Sequence, residues 1–177
     1  SAIAHIINYD SIAKIIGNGA TPGAAPFPPS ANLGFDSIAN KPMTDVAKAD
    51  QLLTQAGYAK NANGIYAKDG KELSLTLAIW GKDTSLYEEI QQELKQAGIA
   101  VTLKKLQGPG EVDTLGTDSF DMVERAVITM STNDPYWYLS LFYKTGAKAN
   151  VGAYSNPQVD ALIDQLSVTF DQNARAN

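Results

Sequence analysis

Between residues 73 and 103, the spacing of hydrophobic residues changes from that of a strand to that of a helix and back. Leucine and isoleucine alternate with other residues over 73–79, and apolar residues alternate again over 99–103. Between these stretches, apolar residues recur at helical spacing. Ser85 and Glu88 form a capping-box pattern at the start of this segment, and Gly98 suits its end. The pattern predicts a helix over Ser85–Ala97 between two parallel strands, which is a βαβ unit.

Two further helices are predicted before this unit. Isoleucines recur every three or four residues within Ala2–Ile16, and Gly17 follows as a helix stop. Thr44 is expected to cap a second helix, which Gly57 ends in a left-handed conformation. Residues 18–42 are rich in Gly, Pro, Ala and Ser, and they predict a long ordered loop or wrapping arm.

A hairpin and a further strand complete the predicted β structure. The Asp69-Gly70 step lies between a short strand at Ile65–Ala67 and the strand over 73–79, and this step is typical of a hairpin turn. A strand is also predicted for Phe120–Thr129, after a turn-rich stretch with one short helix around residues 111–115.

The last two predicted helices each begin at a proline that closely follows an asparagine. Asn133-Asp134-Pro135 is expected to open an aromatic helix that runs to Phe142, and Ser155-Asn156-Pro157 one that runs to Leu166. Together the elements predict a mixed α/β fold, with a mixed sheet flanked by helices.

Composition limits the classes of function. The 177 residues, 44% of them hydrophobic, suffice for one domain or one lobe of a larger protein. A net charge of -5 without a basic stripe argues against nucleic acid as a partner. Cysteine is absent, which excludes disulfides and thiolate sites, and the only histidine, His5, is expected to be a packed or half-exposed helix residue.

The sequence motifs favour a protein that is not an enzyme. It has no Gly-x-Ser-x-Gly elbow and no phosphate-binding Gly-x-x-x-x-Gly-Lys loop, and Gly108-Pro109-Gly110 is interpreted as a turn. Acid chemistry by paired carboxylates stays open at this point, because such pairs meet only in three dimensions. We expect no catalytic residue, no metal ligand and no cofactor.

Several segments occur in an order that is specific as a set. They are Ile7-Asn8-Tyr9-Asp10, the Pro-rich arm, Leu52 to Tyr58, Ile90 to Leu94 with Gly98-Ile99, Phe120-Asp121-Met122, Asp134-Pro135, and Tyr154 to Asp160. In this order, the segments resemble the C-terminal lobe of family 5 extracytoplasmic solute-binding proteins, the dipeptide, oligopeptide and nickel-binding group. The likeness covers nearly the whole chain.

The resemblance implies that residues 1–177 form one lobe of a two-lobed, periplasmic-binding-protein-like fold, with 18–42 as an arm within it. Such a protein captures a peptide or a chelated metal, closes by hinge motion and delivers its cargo to the permease subunits of an ABC importer. It implies an extracytoplasmic location, either in the periplasm or at the cell surface as a membrane-anchored lipoprotein. The remaining lobe of the parent chain would be a further partner. The alternative is a surface interaction or adhesion module without a small ligand.

The resemblance also indicates which residues line the ligand cleft. Peptide-binding relatives have an aspartate at about the position of Ser131, and nickel-binding relatives have aromatic residues near the positions of Thr129 and Asn133. Because this sequence matches neither pattern, both cargo classes stay open. The expected ligand-binding residues are Thr129, Met130, Ser131, Thr132, Asn133, Tyr136 and Trp137.

The charged neighbours of this stretch have structural interpretations. Asp134 is expected mainly to cap the helix after Pro135. Glu124 and Arg125 would lie on opposite faces of the predicted strand, so one of them points toward solvent, the partner lobe or the ligand, with solvent as the default. Arg125 could hold a carboxylate. Trp80, at a strand end, fits core packing and cleft lining equally.

Overall fold

The described residues belong to two compact units of mixed α and β structure. The computed structural model describes residues 1–23, 43–112, 114–115, 119–127, 129 and 134–176. The first unit takes its residues from Ser1–Pro22, Pro42–Gly108 and Asp118–Glu124, and the second from Gly23–Lys41, Pro109–Thr117 and Arg125–Asn177. Of the arm predicted over 18–42, residues 24–42 lie outside the described part of the chain. The assignment of residues 1–177 to one lobe stays a prediction.

The first unit begins with two helices where the sequence predicted one. Helix α1 spans Ala2–Ile6 and helix α2 spans Tyr9–Ile16. The break follows from Asn8, whose side-chain oxygen accepts hydrogen bonds from the backbone N–H groups of Asp10 and Ser11 at 3.2 and 3.1 Å. An Asn side chain that binds these two N–H groups starts a new helix, so the prediction of a continuous helix was wrong.

Helix α3 spans Val46–Gln55 and begins one residue later than predicted. Its N-cap is Asp45, whose carboxylate accepts the backbone N–H of Lys48 at 2.9 Å. Thr44, the predicted cap, donates its hydroxyl to the carbonyl of Ile7 at 2.7 Å. Thr44 therefore links the chain to α1, and the carboxylate of Asp45 does the capping. Gly57 follows the helix with φ +88°, as expected.

Three short strands form a small antiparallel sheet: β1 (Ala59–Lys60), β2 (Tyr66–Lys68) and β3 (Lys71–Glu72). Between β2 and β3, Asp69 and Gly70 have φ values of +51° and +77°. Positive φ at both central residues is the requirement of a two-residue type I′ hairpin turn, and the predicted turn is confirmed. The second strand of this hairpin is β3 and not the predicted strand over 73–79, because the chain leaves this sheet after Glu72.

The predicted βαβ unit is confirmed. Strand β4 spans Ser74–Ile79, helix α4 spans Ser85–Ala97 and strand β5 spans Ala100–Lys105. The two strands pair in parallel, from Ser74 opposite Ala100 to Ile79 opposite Lys105. Strand β6 (Met122–Val123) pairs in parallel with the other edge of β4, so that the order is β5-β4-β6. The mixed α/β fold class therefore holds.

The start of α4 differs from the predicted capping box. The N-cap is Thr84, and its hydroxyl donates to the side chain of Glu88 at 2.6 Å. Ser85 donates both its backbone N–H and its hydroxyl to Asp83. Because Asp83 already binds Ser85, the partner of Glu88 is Thr84, one residue before the predicted one.

The core of the first unit lies where α1, α3, α4 and β2 converge. Its buried members are Ile6, Ala49, Leu53, Tyr66, Leu94 and Ile99. Of the predicted α4 stripe, Leu94 is fully buried, whereas Leu86 and Ile90 are partly buried.

In the second unit the described regular structure is helical. A short helix, α5, spans Pro109–Val112, two residues before its predicted place, so the Gly108-Pro109-Gly110 step leads into a helix rather than forming only a turn. Helices α6 (Tyr136–Phe142), α7 (Pro157–Val168) and α8 (Gln172–Ala176) follow. Asn156 caps α7 by accepting the backbone N–H groups of Gln158 and Val159, as predicted.

Candidate functional site

Strand β6 is much shorter than the predicted strand Phe120–Thr129 because two carboxylates take over the pairing at its ends. Asp121 accepts the backbone N–H of Thr76 at 2.7 Å with its side chain. At the other end, the carboxylate of Glu124 accepts the N–H groups of Trp80 at 2.9 Å and Gly81 at 3.3 Å. A side chain that binds the neighbouring strand's N–H groups replaces the backbone ladder, so regular pairing stops there.

Glu124 thus holds the loop that follows β4. The hydroxyl of Tyr87 in α4 also donates to Glu124, and burial together with this carboxylate raises the pKa of Tyr87. Lys105 donates to the carbonyl of Gly81 in the same loop. The half-buried Trp80 begins this loop. Loops beyond the carboxyl ends of parallel strands are where α/β folds bind ligands. This loop is held in place by the side chains of Glu124 and Lys105.

The predicted ligand segment, residues 129–137, follows Arg125 in the second unit. Thr129 is half-buried, and the predicted residues Met130, Ser131, Thr132 and Asn133 lie outside the described residues. Arg125 is half-buried and lies with its guanidinium carbon 5.6 Å from the centre of the Phe142 ring. This contact is a cation–π interaction with α6, which uses one face of the guanidinium.

The three consecutive aromatic residues at the start of α6 differ in exposure. Tyr136 and Trp137 are exposed, with 37% and 41% of their surface accessible. Tyr138 packs inward, with its ring 4.9 Å from Phe142 and 5.7 Å from Tyr143. Burial and a hydrogen bond with Tyr143 raise the pKa of Tyr138 to about 12. Tyr138 is therefore part of the packing, and the other two rings are available to a ligand.

Asp134 caps the first turn of α6, as its predicted structural role requires. Its Oδ1 accepts the backbone N–H of Tyr136 at 2.8 Å. Sequence reasoning missed its second partner, Arg175 of α8, whose Nη2 lies 2.7 and 2.6 Å from the two carboxylate oxygens. No local pattern could have found this pair, because the residues are 41 positions apart.

A second polar network holds the segment between α6 and α7. The amide of Asn150 donates to the carbonyls of Lys144 at 3.1 Å and Tyr154 at 2.7 Å, and its oxygen accepts the N–H of Tyr154. Lys144 pairs with Asp164 of α7, and this carboxylate raises the pKa of the Lys144 ammonium. The hydrogen bonds from Thr145 lower the pKa of Asp160. These contacts tie the loop to α7.

Neither a metal-binding group of side chains nor a membrane-spanning helix occurs in the described part of the chain. No group of three or more His, Asp or Glu side chains there could hold a metal ion. His5 is half-buried, and its Nδ1 lies 3.2 Å from the carbonyl oxygen of Met43. Among the same residues, no helix has both the length and the hydrophobicity that are needed to cross a bilayer.

The first unit contains a groove beside α4. It has a volume of about 600 Å³ and is lined by α4 and the start of β5 in the first unit. None of the predicted ligand-binding residues lines it.

Comparison with known proteins gives a consistent set of relatives. Residues 1–150 match the family described as bacterial extracellular solute-binding proteins, family 5 Middle. The nickel-binding protein NikA of Staphylococcus aureus (strain NCTC 8325 / PS 47) is 28% identical over 185 residues, which cover 99% of this chain and 34% of that protein.

Two solved structures share the fold. The structure of NikA from Staphylococcus aureus in complex with Ni(L-His)2 has a TM-score of 0.79 at 25% identity. The oligopeptide-binding protein AppA from Bacillus subtilis, in complex with a nonapeptide, has a TM-score of 0.81 at 23% identity. Each match covers 99% of this chain and 36% of the other. The chain thus spans about a third of the length of these relatives.

Proposed function

Because the chain belongs to the bacterial extracellular solute-binding proteins of family 5, we propose that it is one lobe of the substrate-binding component of an ABC importer. Its cargo is an oligopeptide, a dipeptide or a nickel chelate. The full-length protein works outside the cytoplasmic membrane, in the periplasm or as a surface lipoprotein, and hands its cargo to permease subunits. It captures its ligand without chemical conversion. The relatives' nickel and peptide ligands support both cargo classes and do not favour an adhesion module.

The observation that carries this proposal is the pair of exposed aromatic rings at the start of α6. Tyr136 and Trp137 follow the segment that the family resemblance assigns to the cleft, and both are accessible. Exposed aromatic rings can cover the apolar face of a peptide or of a histidine-type chelator. We propose that the ligand-facing set is Thr129, Met130, Ser131, Thr132, Asn133, Tyr136 and Trp137.

Capture then depends on a second wall that the remaining polypeptide provides. A ligand that contacts both walls stabilises the closed arrangement over the open one, and closure is the resulting shift in population. A metal cargo has to arrive with its own chelator, because the chain has no cysteine and a single histidine. The protein would then recognise the chelator's carboxylates and ring faces.

Calorimetric titration of the full-length protein tests this function and its site together. The two probes are nickel(II) with excess L-histidine and a mixture of short peptides. We expect micromolar or tighter binding of one probe, with Asn133→Ala and Trp137→Ala each weakening it about tenfold, the loss of one good contact. The melting temperature of both variants should stay at the wild-type value.

Tyr154→Ala is the matched control, because Tyr154 is as exposed as Trp137 and lies in the same unit. Its affinity for the probe should equal that of the wild type. Binding of neither probe by the wild type would refute the function. Full affinity in both Asn133→Ala and Trp137→Ala would refute the site.

A further inference from the structure

One guanidinium joins three parts of the second unit. Nη1 of Arg175 donates to the carbonyl of Leu166 at 2.7 Å and also to that of Thr169, both at the end of α7. Nη2 bridges the two carboxylate oxygens of Asp134. The last carbonyls of a helix have no partner within the helix, so a cation there satisfies them. Arg175 therefore fastens the end of α7 to the start of α6.

The same carboxylate also fixes the ligand-facing turn. Oδ1 of Asp134 accepts the N–H of Tyr136 as well as the guanidinium of Arg175. The side chain of Arg175 is only 17% exposed, and that of Asp134 is 40% exposed. The side chain of Arg175 is therefore mostly buried, whereas the carboxylate that it binds is partly open to solvent.

Charge gives this pair a consequence beyond packing. In the sequence from Thr129 to Trp137, Asp134 is the only residue with a charge. Its ion pair with Arg175 cancels that charge at the wall where the ligand is proposed to lie. A carboxylate that is bound by a guanidinium attracts a ligand ammonium group less than a free one does.

We propose that Arg175 is a positioning and specificity residue, which anchors the turn that carries Tyr136 and Trp137 and keeps this wall neutral by pairing with Asp134. This inference rests on the proposed function and deepens it. The part of the ligand that faces the start of α6 carries no ammonium group. It is a neutral or anionic group, such as a peptide segment away from the free N-terminus or a carboxylate of a metal chelator.

The test measures a preference between probes of different charge, again by calorimetry on the full-length protein. One pair is a short peptide with a free or an acetylated N-terminus. The other pair is nickel(II) with L-histidine or with L-histidinamide, whose complex is more positive because the carboxylate is lost. The test uses whichever of these two pairs of probes the wild type binds. The readout is the ratio of its affinities for the two probes of that pair.

Opposite shifts are expected from the two halves of the ion pair. Arg175→Met frees the carboxylate and should move the ratio about fivefold toward the more positive probe, the effect of one partly screened charge. Asp134→Asn keeps an oxygen for the N–H of Tyr136 but leaves Arg175 uncompensated, so the ratio should move the other way. The double variant should return the ratio toward the wild-type value.

A purely structural role predicts a different outcome. It would lower both affinities and the melting temperature together and leave the ratio unchanged. Lys144→Met is the control, because it breaks a different ion pair of the same unit, with Asp164, and should not change the ratio. If Arg175→Met does not fold, the shift in Asp134→Asn still decides the question.

An unchanged ratio in Asp134→Asn, or shifts of the same sign in both single variants, would overturn the inference while the proposed function stands. A wild type that binds none of the probes would overturn both.

Discussion

Tyr66 is a buried residue of the core whose polar end reaches a charged partner. Only 3% of its surface is exposed, and its hydroxyl donates to the carboxylate of Asp50 in α3. The ammonium of Lys60 lies 4.9 Å from the ring centre. Burial, followed by the hydrogen bond and the negative charge of Asp50, raises the pKa of Tyr66 from 10.0 to about 12. The neutral phenol is therefore the form that the fold stabilises.

This shift predicts a loss of stability in alkali. In the unfolded chain Tyr66 ionises near its ordinary pKa, whereas in the folded chain it keeps its proton to about pH 12. The stabilisation is complete below pH 10 and is lost as the pH rises through the folded pKa. At about 1.4 kcal/mol for each pKa unit, the free energy of unfolding should fall by roughly 2 to 3 kcal/mol over this window.

Thermal melts of the wild type and of Tyr66→Phe between pH 8 and 12 check this prediction. At pH 8, Tyr66→Phe should be about 1 kcal/mol less stable than the wild type, because it lacks the hydrogen bond to Asp50. As the pH rises further, its stability should decline less steeply than that of the wild type. Asp50→Asn removes the charge but not the burial. The decline of its stability with pH should therefore be intermediate between those of the wild type and Tyr66→Phe. Parallel pH profiles for all three proteins would show that Tyr66 does not titrate as described.

Residues that act through local contacts were predictable, and those that act over distance were not. Asp134 and Asn156 bind N–H groups two residues ahead, and their places before a proline indicated this role. Glu124 binds Trp80 and Gly81, more than 40 positions earlier, and Arg175 binds Asp134 at a similar separation. These pairings depend on how whole elements meet, which no local pattern in the sequence encodes.

At the scale of elements, the βαβ unit followed directly from hydrophobic spacing, whereas element ends did not. The spacing of hydrophobic residues indicates which face of a helix or strand is buried, and this signal extends over many residues. Ends depend on which of several neighbouring polar side chains captures the free N–H groups. Asp45 rather than Thr44 caps α3, Asp83 binds the N–H of Ser85 at the start of α4, and Asn8 divides the first helix.

Helix α4 depends on Leu94, which is fully buried in the core of the first unit. Leu94→Ala should lower the free energy of unfolding by about 2 to 5 kcal/mol, because it removes buried methyl groups and leaves a cavity. Val46→Ala is the control, since Val46 is 54% exposed in the same unit. Chemical denaturation measures both. Equal stability of Leu94→Ala and wild type would mean that the α4 stripe is not core.

The turn between α4 and β5 depends on Gly98, which has φ +99°. A Cβ atom at this position would lie 2.4 Å from the carbonyl oxygen of Gly64. Gly98→Ala should therefore cost more than the roughly 1 kcal/mol expected for a left-handed alanine alone. Gly70→Ala is the control, since Gly70 also has a positive φ but open space around it. Equal losses of stability in the two variants would contradict the close approach.

At the scale of the whole molecule, fold class and family could be predicted from the order of segments along the chain, but the cargo could not. Residues 1–150 match the family, and the segments that carry the resemblance are spread over nearly the whole chain. In the proposed function, the cargo depends on a few side chains at one wall and on a second wall from the remaining polypeptide. Here Ser131 and Asn133 match neither the peptide nor the nickel pattern. The rings of Tyr136 and Trp137 are exposed, and in the proposed site they serve either cargo.

Native mass spectrometry of the full-length protein, purified without added ligand from medium containing both peptides and nickel, tests the central claim most directly. Closed cargo complexes dissociate slowly when the affinity is high, so bound cargo should survive purification. We predict a native mass above the denatured mass by that of a short peptide or of nickel plus a small carboxylate chelator. A native mass equal to the denatured mass, with no binding when either probe is added back, would contradict the claim that this chain is a lobe that captures solute.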